Sequence, residues 1–404
     1  MTTDLPTEVL RVIIRLATYS DIDFDNGFIH GLDMDWFVTF RRRNAKTMET
    51  KFALLTISHR IMQIAAEFLY EIIVVTDKPF LLCYENLAAK LERSSTPAAL
   101  THLVPCRREW VKFIFAYESS QLTTAPTVAA ILRFCPELKG FSWINQRSRW
   151  TPYLLSSSRT RFEEEQMIEK IPNGITIFNW HADVHRVALA SVFRGSSASL
   201  RVLYIGGLRN YSPSNNAFPQ VQHIPEIFPS LSDLKIMASV NLFDTLEMWS
   251  IPALADLYLE EDFGDDRLCD IVLPKVARTL RILRFGVRIH VTTELLSKTI
   301  HVCQCLQELH YCDLDVVVSP WTSRLTHPSL KYVEVSYDMF EFEDMEQANS
   351  SLLRDFGCLS NDRFPLLDTI VASDVFINSS ERMGCRIMLQ RVSGNFSAAG
   401  IRVL

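Results

Sequence analysis

Two stretches near the start of the chain carry apolar residues at helical spacing. Leu5, Val9, Ile13, Leu16 and Ala17 fall on one face of residues 5–17, the recurrence of an amphipathic helix. Pro6 suits a first helical turn, where its missing N–H costs nothing, and Glu8 in that turn complements the helix dipole. A second block, residues 52–75, keeps the period through Leu54, Ile57, Ile61, Ile64 and Ala65. It then passes through Phe68-Leu69-Tyr70 into a strand-like Ile72-Ile73-Val74-Val75.

From about residue 100 a different phrase takes over: apolar-x-x-apolar-x-apolar. It occurs at Trp110-Phe113-Phe115, Leu138-Phe141-Trp143, Ile175-Phe178-Trp180, Leu200-Leu203-Ile205 and Leu231-Leu234-Ile236. It continues at Leu254-Leu257-Leu259, Leu280-Leu283-Phe285, Leu306-Leu309-Tyr311, Leu330-Val333-Val335 and Leu367-Ile370-Ala372. Successive starts lie between 23 residues (Leu231 to Leu254) and 37 residues (Leu138 to Ile175) apart. Pro136, Pro229, Pro252, Pro328 and Pro365 stand two places before a phrase, where proline ends a helix and releases the chain into a strand. Intervening segments such as residues 293–300 have helical composition. Each unit is therefore expected to be strand, loop, helix, and only stacking buries its apolar face. Residues 400–404 are expected to add a closing strand after a helix near 380–392.

The opening Leu5-Pro6-x-Glu8-Val9-Leu10-x-x-Ile13-Ile14 resembles the first helix of the F-box-like proteins common in fungi. Residues 55–65, Leu-Thr-Ile-Ser-His-Arg-Ile-Met-Gln-Ile-Ala, resemble the second conserved block, and Phe68-Leu69-Tyr70-Glu71 the exit into the next domain. The chain departs from that family at Ile61, often Trp, at Glu67, often Pro, and in an insertion at about 19–51. The phrase that follows is similar to leucine-rich repeats, which often follow F-boxes. The Asn or Cys of their ninth position is missing, since Leu208, Asp262, Leu314 and Asp338 stand there. The expected fold is α/β: a small helical F-box-like module over residues 1–75, then an irregular leucine-rich-repeat solenoid over 76–404. The resemblance implies a substrate-recognition subunit of a Skp–cullin–F-box ubiquitin ligase, not an enzyme. It would bind a Skp-type adaptor through Leu5, Pro6, Val9, Ile13, Leu54, Ile57 and Ile61, join a cullin through it, and hold a protein substrate on the repeats. The alternative is a non-ligase repeat scaffold in which the helical segment only caps the array.

Composition agrees with a globular chain: 404 residues, 48% hydrophobic, 22% charged and only 13 glycines. A formal net charge of -6 argues against general attraction to nucleic acid. Nine irregularly spaced cysteines read as reduced thiols, and no apolar run approaches the ~20 residues that cross a bilayer. The start, Met1 to Pro6, lacks a secretory or transit character. A cytoplasmic or nuclear protein is expected, with no membrane partner.

Alternation along each strand turns the fifth residue of every phrase away from the apolar row. These residues are Ile114, Ser142, Asn179, Tyr204, Lys235, Tyr258, Arg284, His310, Glu334 and Val371. Tyr204, Lys235, Tyr258, Arg284, His310 and Glu334 are the expected substrate contacts, because such aromatic and charged mixtures suit protein interfaces. Asp233, Asp256, Glu308 and Tyr332 form the neighbouring third-position row. Acidic loops at 260–266 and 338–346 point to a basic protein or peptide partner.

Other features weigh little. Asp21-x-Asp23-x-Asp25 opens like a calcium loop, but Asn26 and Leu32 occupy the positions that need Gly and Glu. Arg41-Arg42-Arg43 reads as an exposed helix face. His181 and His185 could share a metal only if helical, and Asp183 reads as the cap or first-turn acid of a helix after Trp180. Cys303 and Cys305, near His301, His310 and Cys312, lack the usual zinc spacing. No serine-hydrolase, phosphate-loop or zinc-protease signature is present, and no cofactor is expected.

Overall fold

The computed structural model describes residues 5–18, 34–76, 108–118, 124–145, 158–209, 226–236, 246–261, 268–313, 320–321, 324–337, 358–360, 362–374 and 402–403. The chain divides into two compact units, Met1–Val221 and Gln222–Leu404.

The first unit opens with three helices, α1 (Thr7–Ala17), α2 (Met34–Leu55) and α3 (His59–Tyr70). Ser58 starts α3 by accepting a hydrogen bond from the Ile61 N–H at 3.2 Å, the usual N-cap device. A small core of Ile14, Ile64, Ala65 and Phe68 holds α1 on α3, with Leu10, Leu54, Leu55 and Ile61 packed around it. Arg60 donates to the Leu5 carbonyl at 2.6 Å, and Arg15 pairs with Glu71 at 2.5 Å while lying over the Phe68 ring. Helix α3 runs directly into β1 (Ile72–Val75).

Strands β2 (Phe113–Glu118), β3 (Gly140–Asn145), β4 (Ile177–His185) and β5 (Val202–Arg209) follow, each parallel to its predecessor. Helices α4 (Ala125–Leu132), α5 (Ser158–Ile168) and α6 (Arg186–Ser196) alternate with them. Phe141, Phe178 and Leu203 stand side by side, as do Trp143, Trp180 and Ile205, so the expected phrases are in lateral register. The first copy is displaced by one residue. Ile114 aligns with Phe141 and Ala116 with Trp143, so the phrase is Val111-Ile114-Ala116, all buried. Ile73 and Val75 align with Ile114 and Ala116, which makes β1 an additional copy. Strand β4 extends to His185 past an irregularity between Trp180 and Asp183. Residues 181–185 are thus strand and not helix, and the helix after Trp180 begins only at Arg186.

The second unit carries β6 (Asp233–Ile236), β7 (Asp256–Glu261), β8 (Ile282–Arg288), β9 (Glu308–Asp313), β10 (Tyr332–Tyr337), β11 (Thr369–Asp374) and β12 (Arg402–Val403). All pair in parallel and in chain order. The expected closing strand is β12. Leu234, Leu257, Leu283, Leu309, Val333 and Ile370 form one buried lateral row. Helices α7 (Leu273–Val276) and α8 (Thr293–Val302) lie between strands, α8 capped by the Thr292 hydroxyl. Cys303 is the residue that ends α8, while Cys305 is exposed.

Without an asparagine ladder, backbone carbonyls join the repeats at the strand entries. The Lys112 carbonyl accepts from Lys139 and Gly140, Ala255 from Arg281 and Ile282, Arg281 from Gln307 and Glu308, and Lys331 from Asp368 and Thr369. One acceptor per repeat thus satisfies two donors of the next, which answers the requirement to pair buried backbone groups. Two glycines let strands approach where register shifts. A Cβ on Gly286 would lie 2.8 Å from the Glu260 Cα, beside the irregularity between Leu259 and Glu261. Gly286→Ala is expected to lose ~1–3 kcal/mol of stability by overpacking against backbone. Denaturant unfolding of the full chain measures it, and an unchanged midpoint would show that β7 yields freely.

The acidic segments at 262–266 and 338–346, the Asp21 to Leu32 segment and the expected helix near 380–392 lie outside the described residues, as do the side chains of Arg41 to Arg43. No described helix is long and apolar enough to cross a membrane.

Candidate functional site

Helix α1 is amphipathic, as its spacing predicts, but its apolar stripe faces away from the fold. Leu5, Val9, Val12, Ile13 and Leu16 are all exposed, Leu16 to 74%, and Ile14 is the buried residue of the helix. Phe52 on α2 and Ile57 in the turn before α3 are exposed as well. Of the residues proposed for the adaptor, Leu5, Pro6, Val9, Ile13 and Ile57 are on the surface, whereas Leu54 and Ile61 pack against the small core. The sequence reading missed Val12 and Phe52. Val12 follows the stripe's own spacing, but Phe52 gave no periodic signal.

The second candidate surface is the polar face of the second unit's sheet. Lys235, Tyr258, Arg284, His310, Glu334 and Val371 are lateral neighbours on six consecutive strands, and all are half-buried. One residue pair earlier, Asp233, Asp256, Ile282, Glu308, Tyr332 and Thr369 form the parallel row. The structure therefore brings five of the six expected substrate contacts together.

Tyr204 is a correction. It is fully buried, its ring centroid 3.9 Å from that of His181. Its lateral neighbours Phe115, Ser142 and Asn179 are buried too, with Asn179 donating to Ser142 at 2.9 Å. In the first unit both sheet faces are covered, as parallel sheets permit. Tyr204 is a core residue there and offers no contact surface.

The half-buried rows carry several polar clusters. Arg284 donates to both carboxylate oxygens of Asp256, at 2.6 and 2.9 Å. Lys235 sits 4.0 Å from the centroid of the Tyr258 ring, a cation–π arrangement, and Tyr258 donates to Glu260. His310 Nδ1 meets Glu334 at 3.0 Å and Nε2 lies 3.7 Å from Glu308. Tyr332 donates to Glu334 at 2.9 Å and its ring lies against His310. Burial pushes the Asp256 carboxyl up to about 6, with Asp233 adding to the rise and Arg284 opposing it. Burial alone would lower the His310 pKa, yet its bonds to Glu308 and Glu334 carry it above 6.5. Burial and the Glu334 charge also raise the Tyr332 hydroxyl. Among the described residues, these rows carry the carboxylates Asp233, Asp256, Glu260, Glu308 and Glu334 and the cations Lys235 and Arg284.

Among the described residues no group of three or more His, Cys, Asp or Glu side chains is arranged to hold a metal. His181 lies in β4 and not on a helix, and Cys303 and Cys312 are buried.

No family model and no curated protein matches the chain. Among solved structures, the chain is similar to the crystal structure of the Rad7 and Elc1 complex in yeast, at 12% identity and a TM-score of 0.33. That similarity covers 87% of this chain and 96% of the other.

Proposed function

We propose that the chain is a non-enzymatic recognition subunit of a Skp–cullin–F-box ubiquitin ligase, holding a Skp-type adaptor at its N-terminal helices and a protein substrate on its repeats. A cytoplasmic or nuclear site of action follows from that role. One observation carries the reading: the exposed apolar stripe of α1 coincides with the F-box-like positions Leu5, Val9 and Ile13. Exposed side chains at those positions are poor value for this fold alone. Each would contribute about 1.5–3 kcal/mol if a partner covered it.

The capping alternative has its own support. Helix α3 continues into β1, and the Glu71 carbonyl accepts from Lys112 and Phe113 at the entry to β2. Co-purification of the full chain with a Skp-type adaptor separates the two readings. The ligase reading expects a complex that Ile13→Asp weakens about 100-fold, roughly 2.7 kcal/mol. Thermal stability should hold, because Ile13 is 48% exposed. No adaptor complex for the unmodified chain leaves the capping scaffold.

A further inference from the structure

Helix α2 packs on α3, yet its inner face is polar where it is most deeply buried. Asn44, Thr47, Met48, Lys51, Leu54 and Leu55 fall on that one face, at the spacing of successive helical turns. Among residues 44–55, Asn44 and Lys51 are the two buried side chains, at 7% and 1% exposure. The Asn44 Oδ1 and the Lys51 Nζ have no hydrogen-bond partner among the described residues. Arg15 on α1 and Glu71 after α3 are the charges that act on Lys51, and the Glu71 carboxylate already accepts from Arg15. Within this stretch, the apolar contacts with the small core come from Leu54 and Leu55 in the last turn. A buried Asn or Lys in a helix seam costs stability even when it fixes register. Here two desolvated polar atoms, seven residues apart, receive no bond in return.

We infer that α2 is a releasable strap: residues 44–51 lift off the helical core, pivoting on the turn at Leu54 and Leu55, while α3, β1 and the sheet stay folded. Release returns Asn44 and Lys51 to water and bares the flank of α3 that α2 covers. Segments that open below the global unfolding free energy are those with few buried apolar contacts, and residues 44–51 bury none completely. The strap is also coupled to protons. Burial lowers the Lys51 pKa from 10.5 to about 8, with Arg15 helping and Glu71 opposing. Below pH 8 the seated and lifted helices both carry the proton, so the cost of seating is complete. Between pH 8 and 10.5 the lifted state binds the proton more tightly, and seating strengthens as pH rises.

Hydrogen–deuterium exchange of the full chain tests the strap. At pH 7 the amides of residues 44–51 are expected to exchange at least about tenfold faster than those of residues 59–70, after correction for intrinsic rates. Lys51→Met should slow exchange over residues 44–51 by about tenfold to 100-fold, and Asn44→Leu severalfold. Slower exchange is a gain that misfolding cannot produce. Raising the unmodified chain from pH 7 to pH 9 should increase the protection of residues 44–51 about tenfold, a change that Lys51→Met abolishes. Equal protection of α2 and α3, protection of residues 44–51 that Lys51→Met leaves unchanged, or protection that does not respond to pH overturns the inference. No adaptor is present in the measurement, so its outcome is independent of the ligase reading.

Discussion

Replacing Lys51 by methionine is expected to stabilise the protein at neutral pH. Lys51 lies on α2, is 1% exposed, and its ammonium has no hydrogen-bond partner among the described residues. Burial lowers its pKa from 10.5 to about 8, against the attraction of Glu71 and with the help of the Arg15 charge. Glu71 is already paired with Arg15 at 2.5 Å. The gap between 10.5 and about 8 corresponds to ~3 kcal/mol of penalty while the native lysine stays protonated. The sign follows from proton binding. Below pH 8 both states carry the proton and the full penalty is present. Between pH 8 and 10.5 the unfolded chain binds the proton more tightly, so stability rises with pH. Methionine keeps the stem's volume and removes the charge. Lys51→Met should gain about 1–3 kcal/mol at pH 7 and little at pH 10.5, read from urea unfolding at both values. A variant that is less stable at pH 7, or a gain that does not change with pH, would show that Glu71 compensates the buried ammonium.

Lys51 was invisible in the sequence because a single lysine in a mostly polar helix carries no signal of burial. The repeat array was readable for the opposite reason: ten copies of one phrase reinforce each other, and nine of them keep their expected register. The first copy fails because Phe113-Ile114-Phe115-Ala116 is an unbroken apolar run. Alternation cannot choose a face where every residue is apolar, and the structure resolves the choice by burying all four.

The same physics separates Tyr204 from the other expected contacts. In the second unit the strands alternate cleanly, as in Asp233-Leu234-Lys235-Ile236 and Glu308-Leu309-His310-Tyr311, the pattern of a sheet with one wet face. In the first unit Ile177-Phe178 and Val202-Leu203-Tyr204-Ile205 lack that alternation, the composition of strands covered on both sides. A comparison of the two halves could have excluded Tyr204. On α1, spacing identified an apolar face but not its surroundings. An amphipathic pattern is the same whether the stripe meets the protein's own core or a partner, and here the described residues leave it exposed.

The largest loss is expected at Trp180, and the sharper test compares it with Trp143. Both indoles are fully buried and stack with centroids 6.0 Å apart. Phe141 and Phe178 close around Trp180 at 6.4 and 6.1 Å. Trp180→Ala should cost ~3–5 kcal/mol through lost transfer energy and the cavity left behind. The phenylalanine variants divide by their polar atoms. The Trp180 N–H is buried with no partner among the described residues, so Trp180→Phe removes a polar group that gains nothing from its surroundings. The Trp143 N–H donates to Glu164 on α5 at 3.2 Å, beside the Asn145 amide at 3.0 Å. Trp143→Phe removes one of those two donors from a buried carboxylate, and that desolvation penalty adds ~1–3 kcal/mol. Trp143→Phe should therefore destabilise more than Trp180→Phe, although the two substitutions delete the same atoms. Guanidinium unfolding of the full chain reads the difference. Restoring part of the Trp143→Phe loss with Glu164→Gln would assign that part to the carboxylate. Equal midpoints for the two phenylalanine variants would instead mean that Glu164 stays satisfied without the Trp143 N–H, and that β3 and α5 are held together by their other contacts.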